Sequence, residues 1–415
     1  MTMLSKLRHF ELVDEHGGRA RLRDLAITLE KDYPPVTHLL FRNAERQLSW
    51  LPWKSVNKIE WRRSQIQVAS LGEAEAVTDE SLGKEVLLRR DVMDALVLDL
   101  HNRRATRAND LWLEQKDGEL LLTAVDTSVR AILRRLSRGR FGSKPSRAPY
   151  DWKYIEFLRG DPHAVRNGSG YRMRIGRLPA GEIAGLSRSL PYLHAAELVT
   201  LLPDPLAADT LEAMSLERRL QVFAELDEDQ ALSLLPLMAP DDAADLLGQL
   251  PTETAKSFLE RLPHRRREQL IELLRYPDDT VGGIMTNDVV MLPIDLRVNE
   301  ARLVLRDRLE DPDFTHFIYV VDNDETRVLR GTISLRDFVR AKDEESLEEI
   351  MNPYTSTLDP LEPADAGSYR LLNGHMAALP VVGREGQLLG LVTVDAAVMR
   401  VAPPSWSAQA PKVFS

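Results

Sequence analysis

Residues 276–286 read YPDDTVGGIMT, and they divide two repeat architectures. A helix-like run, RRREQLIELLR at 265–275, stops at Tyr276-Pro277. Proline lacks the N–H that a continuing helix needs and biases the residue before it away from helical angles. Two carboxylates follow, and Asp278 or Asp279 can cap a one-turn helix. Gly282-Gly283 then offers backbone angles closed to other residues, so a sharp, specified bend is expected.

On the N-terminal side of this bend an apolar residue recurs every 12 residues from Leu178 through Leu190, Leu202 and Met214 to Leu274. Four residues before these positions, from Leu190 on, stand Leu186, Leu198, Thr210, Val222, Leu234, Leu246, Phe258 and Leu270, and alanines recur seven before. Spacings of four and seven place one apolar stripe on a helix. Prolines 179, 191, 203, 251 and 263 suit the first turn of the next helix. Short helices of this kind bury their stripes only by stacking, so 177–276 reads as a right-angled α-superhelix whose stripe is core, not a cofactor box.

On the C-terminal side a β-α-β-β-α order runs twice, over 277–343 and 344–403. The copies open with Met-Thr and Met-Asn-Pro and close with GTISLRD and GLVTVDA. A third repeat lies near the N-terminus, where LVDEHGGRARLRDL (12–25) matches VLDLHNRRATRANDL (97–111). Asp14 aligns with Asp99, His16 with His101 and Asp24-Leu25 with Asp110-Leu111. Period-two alternation between Gly, Asn and Asp turns makes both copies antiparallel β units, spanning 1–68 and 69–136. His16 and His101 have no neighbours at ligand spacing and read as turn residues. The aromatics of WLPWKSVNKIEW read as core and rim. Residues 137–176 follow as a linker and 404–415 as a tail. Arg130, Arg134, Arg135 and Lys153 around the linker read as a solvated face.

The 415 residues carry a formal charge of −10 and no cysteine. Acidity argues against nucleic acid or an anionic membrane as partner. The missing cysteines exclude disulfides and thiolate metal sites. Neither a signal-peptide core nor a membrane-length apolar stretch is visible, so a cytoplasmic, non-spanning chain is expected. No Walker loop, HExxH or GxSxG stands in the sequence, and an enzyme is not expected.

Three resemblances rest on these residues. The strand, Asp, Gly-turn and Asp-Leu order near the N-terminus resembles the PRC-barrel family. The pair GTISLRD and GLVTVDA resembles a tandem of CBS motifs, which pack into one adenosyl-nucleotide-binding module. The 12-residue superhelix, the CBS pair and Tyr276, Pro277, Asp279, Gly282, Gly283, Met285 and Thr286 together resemble the cytosolic half of the MgtE magnesium channel-transporter family. The expected fold is multidomain α+β: a small PRC-like β-barrel repeat, a central α-superhelix and a C-terminal CBS pair.

That family implies Mg²⁺ bridging carboxylates of the superhelix and the CBS module, and ATP in the CBS module raising sensitivity to magnesium. The bend at 276–286 is then a hinge between two lobes. On the superhelix side Asp241, Asp242 and Asp245 can share one helical face, as a solvated acidic patch or as ligands of a hard cation. On the CBS side Ala396, Met399 and His375 stand where the family often has acids, leaving Asp365 and Asp395 as ligand candidates. For nucleotide, Gly331, Ser334 and Asp337 fit the CBS pattern, with Arg336 for phosphates and Phe317 for the base. A carboxylate at Asp337 can accept from both ribose hydroxyls. Ala396 replaces that Asp in the second motif, so one competent site is expected. No pore segment follows the CBS pair, so this chain is not expected to conduct Mg²⁺ itself. The reading is a regulatory protein of magnesium homeostasis that binds Mg²⁺, an adenine nucleotide or both, docks a partner, and forms a homodimer through its CBS module. An accessory subunit of a separate membrane transporter and a ligand-free scaffold remain open.

Overall fold

The computed structural model describes residues 1–402 other than 8, 44, 79–81, 83, 84, 137–148, 159–173 and 309–315. Most of the expected linker and the tail 404–415 lie outside the described residues. The chain divides into two compact units, residues 1–203 with 225–227, and 204–224 with 228–415.

In the first unit, β2 (Glu11–Asp14), β3 (Arg19–Ile27), β4 (Val36–Arg42), β5 (Leu48–Pro52), β6 (Val56–Glu60), β7 (Gln65–Val68) and β8 (Glu75–Ala76) run in the order β6-β7-β2-β3-β4-β5-β8. The second copy supplies β10 (Leu96–Asp99), β11 (Arg104–Arg107), β12 (Asp110–Lys116) and β13 (Glu119–Asp126). Strands β14 (Tyr150–Asp151) and β15 (Ile155–Phe157), inside the stretch expected as linker, pair with β13 and β10. The sheets stay open, and no closed barrel is present among the described residues. The small-barrel expectation is corrected accordingly.

The two copies are not separate β units either. Strand β1 (Thr2–Met3) precedes the first copy but pairs with β12 of the second, and β9 (Val86–Leu87) precedes the second but pairs with β3 of the first. The turns behind these strands are crossed in the same way. Asp24 accepts backbone N–H from Leu25, Arg89 and Arg90, while Asp110 accepts from Leu111, the Ser5 N–H and the Ser5 hydroxyl. Each Asp-Leu of the sequence repeat therefore caps the turn that introduces the other copy. One apolar core runs from Leu4 to Phe157 through both.

The solvated face expected of Arg130, Arg134, Arg135 and Lys153 is corrected at Arg134 and Arg135. Arg134 is 3% exposed and bonds Asp110 and Asp126 at 3.2 and 3.0 Å. Arg135 pairs with Asp94 at 2.6 Å, whose carboxyl it holds below the usual carboxylate range. On the same helix, Val129–Leu136, Arg130 faces solvent as expected, together with Val129, Ile132 and Leu133.

Short helices at the expected 12-residue spacing occupy 180–273. Ala180–Ser187 and Tyr192–Thr200 belong to the first unit, and six from Asp204–Glu212 to His264–Leu273 belong to the second. The positions four before each repeat residue, from Leu186 to Leu270, are all buried, while Leu226 and Leu250 are half-buried. Within the second unit alternate helices stack, Asp204–Glu212 on Glu228–Leu234 and Pro240–Gly248 on both Leu216–Phe223 and His264–Leu273. Prolines 179, 191, 251 and 263 sit one residue ahead of the first turn, at the N-cap, in extended conformation.

The second unit ends in two β-α-β-β-α copies. The first has β16 (Met291–Pro293) parallel to β17 (Phe317–Val321), which is antiparallel to β18 (Leu329–Ser334). The second has β19 (Ala378–Val382) antiparallel to β20 (Leu388–Thr393). Both hairpins carry a register shift at the same place, Val320/Val321 and Val381/Val382. Tyr319 and Val321 meet Leu388 and Leu391 in a core shared by the two copies. Here too the opening segments cross over. Thr286 bridges Leu391 of the second copy, and Asn352 bridges Thr332 of the first. Gly331 and Gly390 leave room for this: an added Cβ would lie 2.7 Å from the Asn352 carbonyl oxygen or 2.5 Å from that of Thr286.

Candidate functional site

The junction 276–286, expected as a hinge, is joined to the C-terminal copy. Backbone bonds tie it to the second CBS copy: Val281 N–H donates to Glu362, Gly282 N–H to Pro360, and Ala364 N–H back to Asp279. Thr280 caps the turn Val281–Gly283, the role foreseen for Asp278 or Asp279. Neither glycine has positive φ. They are small because space is short: a Cβ on Gly282 would meet the Tyr276 ring at 2.5 Å, and one on Gly283 would strike the Pro277 carbonyl oxygen. This bend is a stitched corner.

The residues proposed for nucleotide meet on one face of β17 and β18. Phe317 lies opposite Ser334 in register, and Tyr319 opposite Thr332, so these four share a face. The Ser334 hydroxyl donates to Asp337 Oδ2 at 2.6 Å and accepts the Asp337 N–H at 3.1 Å, capping the helix Leu335–Arg340. Arg336 and Asp337 are exposed in its first turn. Gly331 does not line this face but admits Met351 and Asn352 against the strand. The Thr332 hydroxyl lies 3.1 Å from that of Thr355. Sequence reading missed Thr332 and Thr355. Period-two alternation back from Ser334 would have found the former, whereas the latter reaches the face only through the crossover.

The magnesium candidates separate into three groups. Asp242 is 8% exposed and pairs at 2.8 Å with Arg219, whose NH1 also donates to the Asp242 carbonyl, so it anchors neighbouring helices. Asp245 reaches solvent on one side, yet desolvation by its surroundings, with the charges of Asp242, Asp241 and Asp278, pushes its pKa up to about 7 against the pull of Arg219. Asp278 joins this acidic group from the junction, where its carboxylate lies 3.5 Å from Gln249 Nε2. Asp365 accepts from Arg400 at 2.7 Å, across the packed helices Ala364–Asn373 and Val394–Val401, and Asp395 stands in the first turn of the latter. Among the described residues no three His, Asp or Glu side chains converge on a metal-holding position. The five proposed carboxylates are not gathered into one set in this conformation.

An α-superhelix running into a pair of CBS motifs defines the class of the C-terminal part. Residues 178–279 match the MgtE intracellular N domain and residues 281–344 the CBS domain, so the chain carries both. Over 131 residues it is 35% identical to the magnesium transporter MgtE of Thermus thermophilus, covering 32% of this chain and 29% of that protein. Over 225 residues it is 28% identical to MgtE of Bacillus subtilis, covering 54% and 49% respectively. The chain thus spans at most about half the length of these relatives. In structure it resembles the cytosolic domain of the Mg²⁺ channel MgtE in complex with ATP (TM-score 0.53, 28% identity, 58% of this chain and 98% of that one). It also resembles the soluble part of a magnesium transporter (TM-score 0.50, 27% identity, 54% and 88%). No helix among the described residues is long and apolar enough to cross a membrane.

Proposed function

We propose that this chain is a regulatory protein of magnesium transport that binds an adenine nucleotide on the first CBS motif and Mg²⁺ at the acidic group around Asp245. The observation that carries the reading is Asp337, held by Ser334 in an exposed turn beside Phe317, in a fold whose structural neighbour was solved with ATP. Asp337 accepts the ribose hydroxyls, Arg336 meets phosphate and Phe317 flanks the base. A hard cation with oxygen ligands relieves the repulsion among Asp241, Asp245 and Asp278. Asp365 contributes only if its pair with Arg400 opens, and Asp395 joins from the first turn of the neighbouring helix. The β region of residues 1–157 lies outside the matched families and is proposed to dock the partner, with the CBS module pairing two copies.

Calorimetric titration of the full chain with ATP and with Mg²⁺ tests this. The expected result is saturable heat for both, with ATP binding weakened in Asp337→Asn and magnesium binding weakened in Asp245→Ala. Flat titrations with both ligands would overturn the reading.

A further inference from the structure

Resting on that nucleotide reading, we propose that Tyr354 is the specificity-determining residue of the site, stacking on the base of a bound purine ribonucleotide. Tyr354 is 91% exposed, among the most open large side chains described, although its backbone is firmly held. Its N–H donates to Asn352 Oδ1 at 3.0 Å, and Asn352 exchanges both backbone bonds with Thr332, at 2.8 and 3.0 Å. The next residue, Thr355, touches the Thr332 hydroxyl. A tyrosine ring left in water on a pinned backbone gains apolar contact only when something flat covers it.

The position says what that cover is. Thr332 shares the strand face with Ser334 about 7 Å along β18, roughly two residue rises. A ribose held at Asp337 projects its base along this face toward Thr332, Thr355 and Tyr354. The two threonine hydroxyls can donate or accept at the base edge. Phe317 borders the same face from the neighbouring strand. On the hairpin of the second copy the matching position is Asp288, supplied by the opening segment of the first copy two residues after its bridge at Thr286, and an acid offers no stacking surface. Tyr354 therefore distinguishes the two copies.

Calorimetry on the full chain with ATP, and competition by ribose 5-phosphate, separates the parts for wild type, Tyr354→Ala, Tyr354→Phe and Asp337→Asn. Tyr354→Ala is expected to weaken ATP about tenfold, in the range of base–aromatic stacking, and to leave ribose 5-phosphate unchanged. Tyr354→Phe keeps ATP affinity, and Asp337→Asn weakens both ligands. If Asp337→Asn weakens ATP while Tyr354→Ala does not, the role of Tyr354 is overturned and the site stands. If Asp337→Asn has no effect, or wild type gives no heat with ATP, the site itself fails and Tyr354 with it.

Discussion

The N-terminal β region and the CBS pair solve one problem with different materials. Each is built from two copies, and in each the segment that opens one copy is pinned to the other. In the β region the pins are carboxylates taking backbone N–H groups, Asp24 and Asp110, the latter backed by the buried Arg134. In the CBS pair they are glycines that let backbones touch. Charged pins carry a dependence on pH and on their counter-ions, whereas steric pins respond only to volume.

Removing one member of a buried ion group leaves an uncompensated charge, so the largest effect is expected from Arg134→Ala. It should destabilise the β region by about 3–5 kcal/mol. Five of the six tryptophans, Trp50, Trp53, Trp61, Trp112 and Trp152, lie in residues 1–157, so intrinsic fluorescence reads this unfolding. An unshifted transition would break the contrast at its charged end.

Burial raises the Asp24 pKa from 3.8 to about 6, against three backbone N–H bonds that lower it. Because the folded pKa exceeds the unfolded one, this contribution is fully present below about pH 3.8 and lost as pH rises through about 6, a swing of about 3 kcal/mol. Asp24→Asn should flatten that part of the tryptophan-monitored stability between pH 4 and pH 7. An identical pH profile in the variant would remove Asp24 from the account.

Gly390→Ala tests the steric pins. Its methyl group meets the Thr286 carbonyl oxygen, and overpacking of this kind costs about 1–3 kcal/mol. The loss should show as weaker ATP binding and earlier proteolysis of the CBS pair, with no change in its pH dependence. Smallest is Ser346→Ala, which removes the capping box with Glu349 and should cost about 1 kcal/mol by thermal denaturation.

Legibility followed the range of the interactions. The superhelix stripe was readable because helical period and 12-residue spacing are local, and the positions four before each repeat residue, from Leu186 to Leu270, are buried as that period requires. The CBS order was readable for the same reason. The crossing of opening segments was not, since Thr286 with Leu391 and Ser5 with Asp110 are 105 residues apart in both cases. The glycines of the junction misled for a related reason. A double glycine signals backbone freedom in sequence, yet here it answers to the Tyr276 ring and the Pro277 carbonyl. Arginine on an apolar helix reads as surface until Asp110 and Asp126 are seen facing it. Within the candidate site, Phe317, Ser334 and Asp337 are close along a hairpin and were legible together, while Thr355 and Tyr354 arrive from the crossing opening segment of the second copy.

The crossed opening of the β region also sets a schedule for synthesis. Ser5 leaves the ribosome 105 residues before the carboxylate that caps its turn. At 5–20 residues per second that is a wait of roughly 5–20 s. Over that interval Thr2, Met3 and the turn behind them have no strand β12 to pair with. The nascent chain must keep Thr2–Met3 available until its second copy is made, so slowing translation between residues 70 and 110 should lengthen exposure of this segment to proteolysis.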